Sequence, residues 1–484
     1  MNLKVRFSYI ICFVFLVCGC AMGPDYQRPE VDAPSTFRPA ASDTRNLLIP
    51  QSLANLGWNE LIQDELLRGY IVEALTNSYD IKAAAARVLQ AEALLRVTRS
   101  QFLPSIFANG DIVTSRASEE GPTGIPAGVN PQQEYGDVYV AMSIYELDLW
   151  GRVRRANESA RARLLATVAA QDAVRQTLVT DVASTYLQLL RLDRDLEIGQ
   201  QSLISRRNSL DLTTSREEGG VAALQDIAQA RILVLTAESS ITDTLRQIEQ
   251  TENAFCLLLG RYPGPVERIC SLNDYPVRTD VPAGLPSALL ERRPDLRASE
   301  QQLIAANADI GQAKAAFFPQ LTLTGFYGFQ SVALDDLFTN PAQTWQFGPA
   351  VSLPLFTGGR LLGNYEYSKA RFEEAVALYQ KSVQDAFRDV SDSLIAYKRL
   401  RELRAQVEEL TTAYRLAADL ANTRYEGGVT SYLEVLYNEQ ELFNAELRLS
   451  RTQSNELLSV IQLYRALGGG WAEKTDNSSP KTNN

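Results

Sequence analysis

Tyr425-Glu426-Gly427-Gly428-Val429-Thr430-Ser431-Tyr432-Leu433-Glu434 lies inside a stretch, 360–468, that the chain contains twice. Displaced by 208 positions, residues 152–260 carry the same landmarks without a gap. Arg152 falls on Arg360, Asp181-Val182 on Asp389-Val390, Gly219-Gly220-Val221 on Gly427-Gly428-Val429, Ala237-Glu238 on Ala445-Glu446, and Leu259-Gly260 on Leu467-Gly468. Upstream, Asp80 pairs with Asp295 and Pro104 with Pro319 at an offset of 215. The seven-residue change of offset falls between Pro104 and Arg152, so one connection there is longer in the first copy, with the Gly- and Pro-rich run 121–133 as the candidate. Units of this length describe one architecture built twice, not a short-period repeat.

Each copy carries a long helical pattern. Residues 360–425 contain no Pro, and only Gly363 interrupts them. Leu400, Leu403, Val407, Leu410, Tyr414, Ala417 and Ala421 recur at alternating steps of three and four, a heptad seam that predicts helix-on-helix packing. The matching run 152–216 is alanine-rich and also lacks Pro. A helix of about 65 residues would be roughly 98 Å long, against the usual three or four turns, so a rod is expected. Each long helix meets a Gly-Gly stop and a second helix returns, giving antiparallel hairpins at about 152–218 with 222–258 and about 360–426 with 431–467.

The segment before each rod alternates with period two. Trp345, Phe347, Val351, Leu353 and Leu355 alternate with polar or small residues, as do Leu321, Leu323, Tyr327 and Phe329, and Val138, Val140, Met142 and Ile144. Runs of about ten residues suit tilted membrane strands, and Trp150, Tyr135, Trp345 and Phe356 near their ends suit interfacial girdles. This predicts one β-hairpin per copy, at about 104–150 and 319–357. The strands alone fit a soluble hairpin half-buried on a helix equally well.

Lys4 and Arg6, the apolar run 10–17 and Gly19-Cys20 make a secretory signal, too short to span a membrane. Val17-Cys18-Gly19-Cys20 resembles a bacterial lipobox, which would leave Cys20 as a lipid-modified N-terminus; an ordinary signal peptide is the plainer alternative. Residues 21–60, with Pro24, Pro29, Pro34, Pro39 and Pro50, read as extended. The run 61–100 is helical in pattern. The net charge is −11, which argues against nucleic-acid binding. There is no His, so catalytic triads that need one are excluded, and no Cys-x-x-Cys zinc pattern appears. Cys256 and Cys270 could pair, closing a small loop at a gain of roughly 3 kcal/mol, or remain two unpaired thiols.

Specific motifs carry a family likeness. They are Gly23-Pro24-Asp25-Tyr26-Gln27-Arg28-Pro29, Leu289-Leu290-Glu291-Arg292-Arg293-Pro294-Asp295-Leu296, Phe317-Phe318-Pro319, Ser352-Leu353-Pro354-Leu355-Phe356 with Gly358-Gly359-Arg360, and Tyr425-Glu426-Gly427-Gly428 with 431–436. With these, nearly the whole chain resembles the TolC-like outer membrane factors, in particular the lipoprotein branch of OprM and NodT type that serves RND efflux pumps. The resemblance implies a mainly α fold with transmembrane β: a duplicated β-hairpin plus long α-hairpin unit, assembled as a homotrimer with a twelve-stranded β-barrel continuous with a periplasmic α-barrel. The implied organisation is a lipoprotein signal at 1–19, an extended segment at 20–60, repeats at 61–259 and 287–468, an equatorial connector at 260–286 and a polar tail at 469–484. The implied role is passive export through the outer membrane, with a periplasmic adaptor (membrane fusion) protein and an inner-membrane RND transporter as partners, outer membrane lipid around the barrel, and no cofactor.

The family's tunnel narrows at its periplasmic end, where acidic residues ring the entrance. The matching positions are Asp226 and Glu434, six residues after Gly220 and Gly428; three chains would bring six carboxylates to one aperture and make it cation-selective. Tyr425 matches an entrance residue that bonds between neighbouring hairpins. Thr430 and Tyr437 depart from the family pattern, which leaves open the bonds that hold the aperture closed. The plainer reading is that Ser431 and Glu434 form a capping box, a reading weaker for Asp226, whose partner position holds Ala223. The turns Gly219-Gly220-Val221 and Gly427-Gly428-Val429 are the expected adaptor-docking tips. Competing classes are a protein-secretion duct, a periplasmic coiled-coil scaffold, and an enzyme using paired carboxylates.

Overall fold

The computed structural model describes residues 21–30, 56–121, 125–126, 128–275 and 289–469. Cys20 with its signal, most of the segment expected to be extended, the later part of the connector and the tail beyond Gly469 lie outside the described residues. The main elements are α1 (Glu65–Asn77), α2 (Tyr79–Ser100), β1 (Ile106–Arg116), β2 (Gln132–Leu147), α3 (Arg152–Glu218), α4 (Leu224–Leu259), α5 (Pro294–Ala315), β3 (Gln320–Ser331), β4 (Gln343–Ser352), α6 (Arg360–Glu426) and α7 (Tyr432–Ala466). Both α3 and α6 are 67 residues long, and α2 and α5 are both 22.

The chain divides into two compact units, each drawing on both copies. One comprises 1–30, 88–167 and 299–379 and holds a four-stranded antiparallel sheet of order β1-β2-β3-β4. Its register separates two chemistries. Val138 stands opposite Gly110 and Phe329, and Tyr327 stands between Val140 and Trp345. Directly opposed residues share a face, so Ile106, Ile112, Val138, Val140, Leu323, Tyr327, Trp345, Phe347 and Val351 line one side. Asn109, Asp111, Asp137, Thr322, Thr324, Gln330 and Gln346 line the other, with Phe107, Val113, Tyr135, Tyr139 and Phe326 among them.

Ile144 is a correction to the expected alternation. The β2–β3 register shifts between Met142 and Tyr145, so Tyr145 and Leu147, not Ile144, stand opposite Leu323 and Leu321. One extra residue in a strand reverses which side chains reach a face. The offset between copies is likewise not one long loop: the connections 117–131 and 332–342 differ by less than seven residues, and the longer, bulged β2 contributes to the rest. Trp150, expected at an interface, has defined partners within the chain. Its indole donates to the Pro319 carbonyl at 2.7 Å and its ring packs on Phe318 at 4.9 Å, joining the β2–α3 corner of the first copy to the α5–β3 corner of the second.

Residues 21–30 form an extended strap across this unit. Met22 N–H donates to Trp150 O at 2.9 Å, Asn307 donates to Pro24 O at 3.0 Å, and Arg28 makes paired bonds of 2.6 and 2.7 Å to Glu300. Buried Arg155 holds Met22 O at 3.2 Å and Asp25 at 2.9 Å. Burial, then the Glu300 charge, raises the Tyr26 phenol well above its ordinary range. Only glycine admits so close a crossing. A Cβ on Gly311 would lie 2.6 Å from the Met22 carbonyl and 2.9 Å from Arg155 Cγ.

The other unit comprises 31–87, 168–298 and 380–484. The segment expected to be extended to residue 60 instead ends in one helical turn, Trp58–Leu61, with Trp58 buried. Tyr70, Tyr186 and Phe255 pack ring to ring at 5.2–6.2 Å, joining α1, α3 and α4. The run 61–100, expected to be helical, holds two helices, of 13 and 22 residues. Asp64 caps α1 through Leu66 N at 2.8 Å, and Ser78, at φ −54° and ψ 132°, ends α1 while its hydroxyl accepts from Asp80 N at 3.3 Å. Arg293, 9% exposed, bonds Asp295 at 2.7 Å, Asp389 at 3.2 Å and Ala466 O at 3.3 Å. Burial alone would raise the Asp295 carboxyl; Arg293's bonds and charge outweigh it and hold the group below the usual carboxylate range. Arg268 ties the connector to Asp193 at 2.5 Å and Glu252 at 2.6 Å. Cys256 and Cys270 are free thiols; Cys256 is buried against the turn, with its sulfur 3.4 Å from Gly264 O. The heptad period persists in α6, but the buried line is Val407, Thr411, Ala418, Ala421 and Tyr425, with Leu410 at the exposed margin.

The strap gives a direct test. Gly311→Val should cost about 1–3 kcal/mol by overpacking against the crossing and lower the melting temperature followed by circular dichroism. Lys314→Ala, on the same helix with its side chain exposed, is the control and should change stability by less than about 0.5 kcal/mol.

Candidate functional site at the hairpin tips

The two hairpin turns are built alike. Gly220 (φ +75°) and Gly428 (φ +71°) occupy the left-handed region, Val221 N–H reaches back to Arg216 O at 2.9 Å, and Val429 N–H to Arg424 O at 2.9 Å. This six-to-one closure satisfies the last helical carbonyls and needs a residue tolerant of positive φ. It leaves Val221 and Val429 exposed at the ends of the turns.

Beyond the turns the duplicated residues take different partners. Arg424 stays within its own hairpin and bonds Glu434 at 2.9 Å, where the Thr430 hydroxyl also donates. Its counterpart Arg216 crosses to the other copy: a guanidinium nitrogen donates to Tyr425 O, and the group lies 4.5 Å from the Tyr425 ring centroid. Asp226, the counterpart of Glu434, caps its own helix, accepting from Ala223 N at 3.1 Å. The capping alternatives therefore fall the opposite way from the sequence pattern. Ser431 makes no side-chain cap bond and Glu434 faces Arg424 and Thr430 instead. A carboxylate takes the nearest strong donor, and only the second copy keeps its arginine within reach. Tyr437 is exposed.

Tyr425 joins the two hairpins. It is buried with Ala230, Ala421, Tyr432 and Val435, packs on Tyr432 at 5.4 Å, and its hydroxyl is 3.5 Å from Thr213 Oγ1. Farther along the hairpins lies a second contact between the copies. Arg206, 1% exposed, donates to Leu233 O at 2.8 Å and Gln440 Oε1 at 3.3 Å, and covers the Phe443 ring at 4.9 Å. Glu439, also buried, accepts from Ser205 at 3.0 Å and Asn422 at 3.3 Å. Burial pushes the Arg206 guanidinium below its ordinary value, and the Glu439 charge partly offsets that. Burial, then Glu439, pushes the Tyr432 phenol up. Sequence reading missed Arg206, Arg216, Thr213 and Glu439; the available signal was a charged or polar residue set within an otherwise apolar helical face. Among the described residues, no group of three or more Cys, Asp and Glu side chains is placed to hold a metal ion.

Glu439→Leu leaves Ser205 and Asn422 without their shared acceptor and removes the charge that partly offsets the burial of Arg206, and should destabilise the fold by about 1–3 kcal/mol. Arg206→Leu with Glu439→Leu should recover part of that loss, as read from a double-mutant cycle of thermal unfolding.

Known proteins resemble this chain over nearly its whole length. The profile described as "Outer membrane efflux protein" matches residues 70–261 and 285–469. The toluene efflux pump outer membrane protein TtgF of Pseudomonas putida is 38% identical over 471 residues, covering 94% of each chain. A membrane protein of Pseudomonas aeruginosa, known from a crystal structure, superposes with a TM-score of 0.84 at 33% identity, covering 93% of this chain and 98% of that one. The open state of the Neisseria gonorrhoeae MtrE outer membrane channel superposes at 0.82 with 31% identity, covering 93% and 99%. The chain belongs to the outer membrane efflux protein family.

Proposed function

We propose that this chain is the exit duct of a tripartite efflux system, passively exporting small molecules received from an inner-membrane RND transporter through a periplasmic adaptor. The observation that carries this reading is the sheet with one apolar and one mainly polar face, the division required of a wall between lipid and a water-filled lumen. Three copies would supply twelve strands. A relative named for toluene efflux supports small organic molecules as cargo.

In this reading Asp226 and Glu434 ring the periplasmic aperture, Tyr425 sets the contact between hairpins, and the turns at Gly219-Gly220-Val221 and Gly427-Gly428-Val429 receive the adaptor. Cys20 carries the lipid. The strap supports that placement, because Ala21, the next residue, packs against Gly151 at the start of α3: a Cβ on Gly151 would lie 2.8 Å from Ala21 Cα.

Single-channel recording in a planar bilayer tests the duct. Wild-type protein should give cation-selective openings, and Asp226→Asn with Glu434→Gln should move the cation-to-anion permeability ratio toward unity. Unchanged selectivity would return both residues to capping and internal pairing. Absence of any current from folded protein would contradict the duct itself.

A further inference from the structure

The two strand connections at the end of the sheet away from the helices have opposite chemistry. The run 117–131 is polar, rich in Gly and Pro, and Arg116 pairs with Glu119 beside it at 3.3 Å. The run 332–342 begins Val332-Ala333-Leu334-Asp335-Asp336-Leu337-Phe338 and winds through a short 3-10 turn, Leu334–Asp336. That turn folds back onto the sheet. Leu334 Cδ2 lies 3.0 Å and Leu337 Cδ2 4.0 Å from where a Gly136 Cβ would stand, and Phe338 packs edge-on to Phe329 at 5.8 Å.

The face they choose decides the meaning. Gly136 precedes Val138 by two and stands opposite Ile112, and Phe329 stands opposite Val138. Both therefore belong to the apolar face, not the polar one. Leu337 is buried there, while Val332 (84% exposed), Leu334 and Phe338 (72%) keep most of their surface open and continue the apolar face past the strand ends. Asp335 and Asp336 keep the turn from the hydrocarbon.

We propose that residues 332–338 form a lip on the outside of the barrel, seated among the headgroups and upper acyl chains of the outer leaflet, and are not a lid across the mouth. The inference rests on the outer membrane barrel reading above. An apolar cluster with adjacent acidic residues is the composition of an interfacial segment, and this one is continuous with the lipid-facing surface.

The test uses Trp345, on the lipid-facing side, as an internal reference. Protein is reconstituted into phosphatidylcholine vesicles brominated near the headgroup or deep in the acyl chains. The emission lost in Trp345→Phe reports the barrel wall; the emission then gained by adding Phe338→Trp to that variant reports the lip. Bromine should quench both, shallow bromine quenching the lip indole more than deep bromine, and aqueous iodide should spare it. Quenching by iodide but not bromine would place the turn over the aqueous mouth and overturn the lip while leaving the barrel. Shielding from both quenchers would put it against another chain, and also overturns it. If bromine spares Trp345 as well, the barrel reading fails first, and the lip with it.

Discussion

The unpaired backbone of β1 and β4 is the constraint on which the rest depends. The strand order leaves both at the edges of a four-stranded sheet, and each carries a row of N–H and C=O groups with no strand beside it in the described chain. In water such an edge is a manageable liability. In hydrocarbon each unmet group costs several kcal/mol, so two edges of this length would cost on the order of tens of kcal/mol. Four strands cannot curl into a barrel that removes those edges, and the sheet therefore needs strands from other chains. Duplication follows naturally: each copy contributes one hairpin, and β2 pairs with β3 across the junction between copies.

The two copies keep their elements in register but have divided their chemistry. Arg424 closes a pair inside its hairpin, whereas Arg216 reaches across to Tyr425. Arg206 and Glu439 bury polar bonds at another contact between hairpins. A fully apolar seam would permit long packed helices to slide by a turn or a heptad at small cost. Buried polar groups with directed bonds penalise every register except one. The same logic holds at the strap, where Gly23 and Gly311 permit a crossing that the bonds to Trp150, Asn307 and Glu300 then fix.

Much of the fold was legible because periodic signals are redundant. A two-residue period over three strands and a heptad over α6 survive individual exceptions. What was not legible was local and three-dimensional. The bulge at Met142 to Tyr145 changes parity without any mark in the hydropathy pattern, and Ser78 breaks the helical run with an extended backbone and caps the start of the next helix with its side chain, which a helical average conceals. Thr411 sits on the buried line because its hydroxyl bonds Val407 O at 2.7 Å, a satisfaction that sequence does not display. At the tips, Asp226 and Glu434 were singled out by the family likeness, but their partners were not legible. Which arginine stays and which crosses depends on where Tyr425 stands.

A chain with two such edges is incomplete alone in a membrane. The mass of the protein extracted in mild detergent, measured by native mass spectrometry, tests this most directly. A species of three chains that persists until the fold itself is lost is the predicted result. A folded, stable single chain, or an assembly of two, would leave the edges of β1 and β4 unexplained and would contradict it.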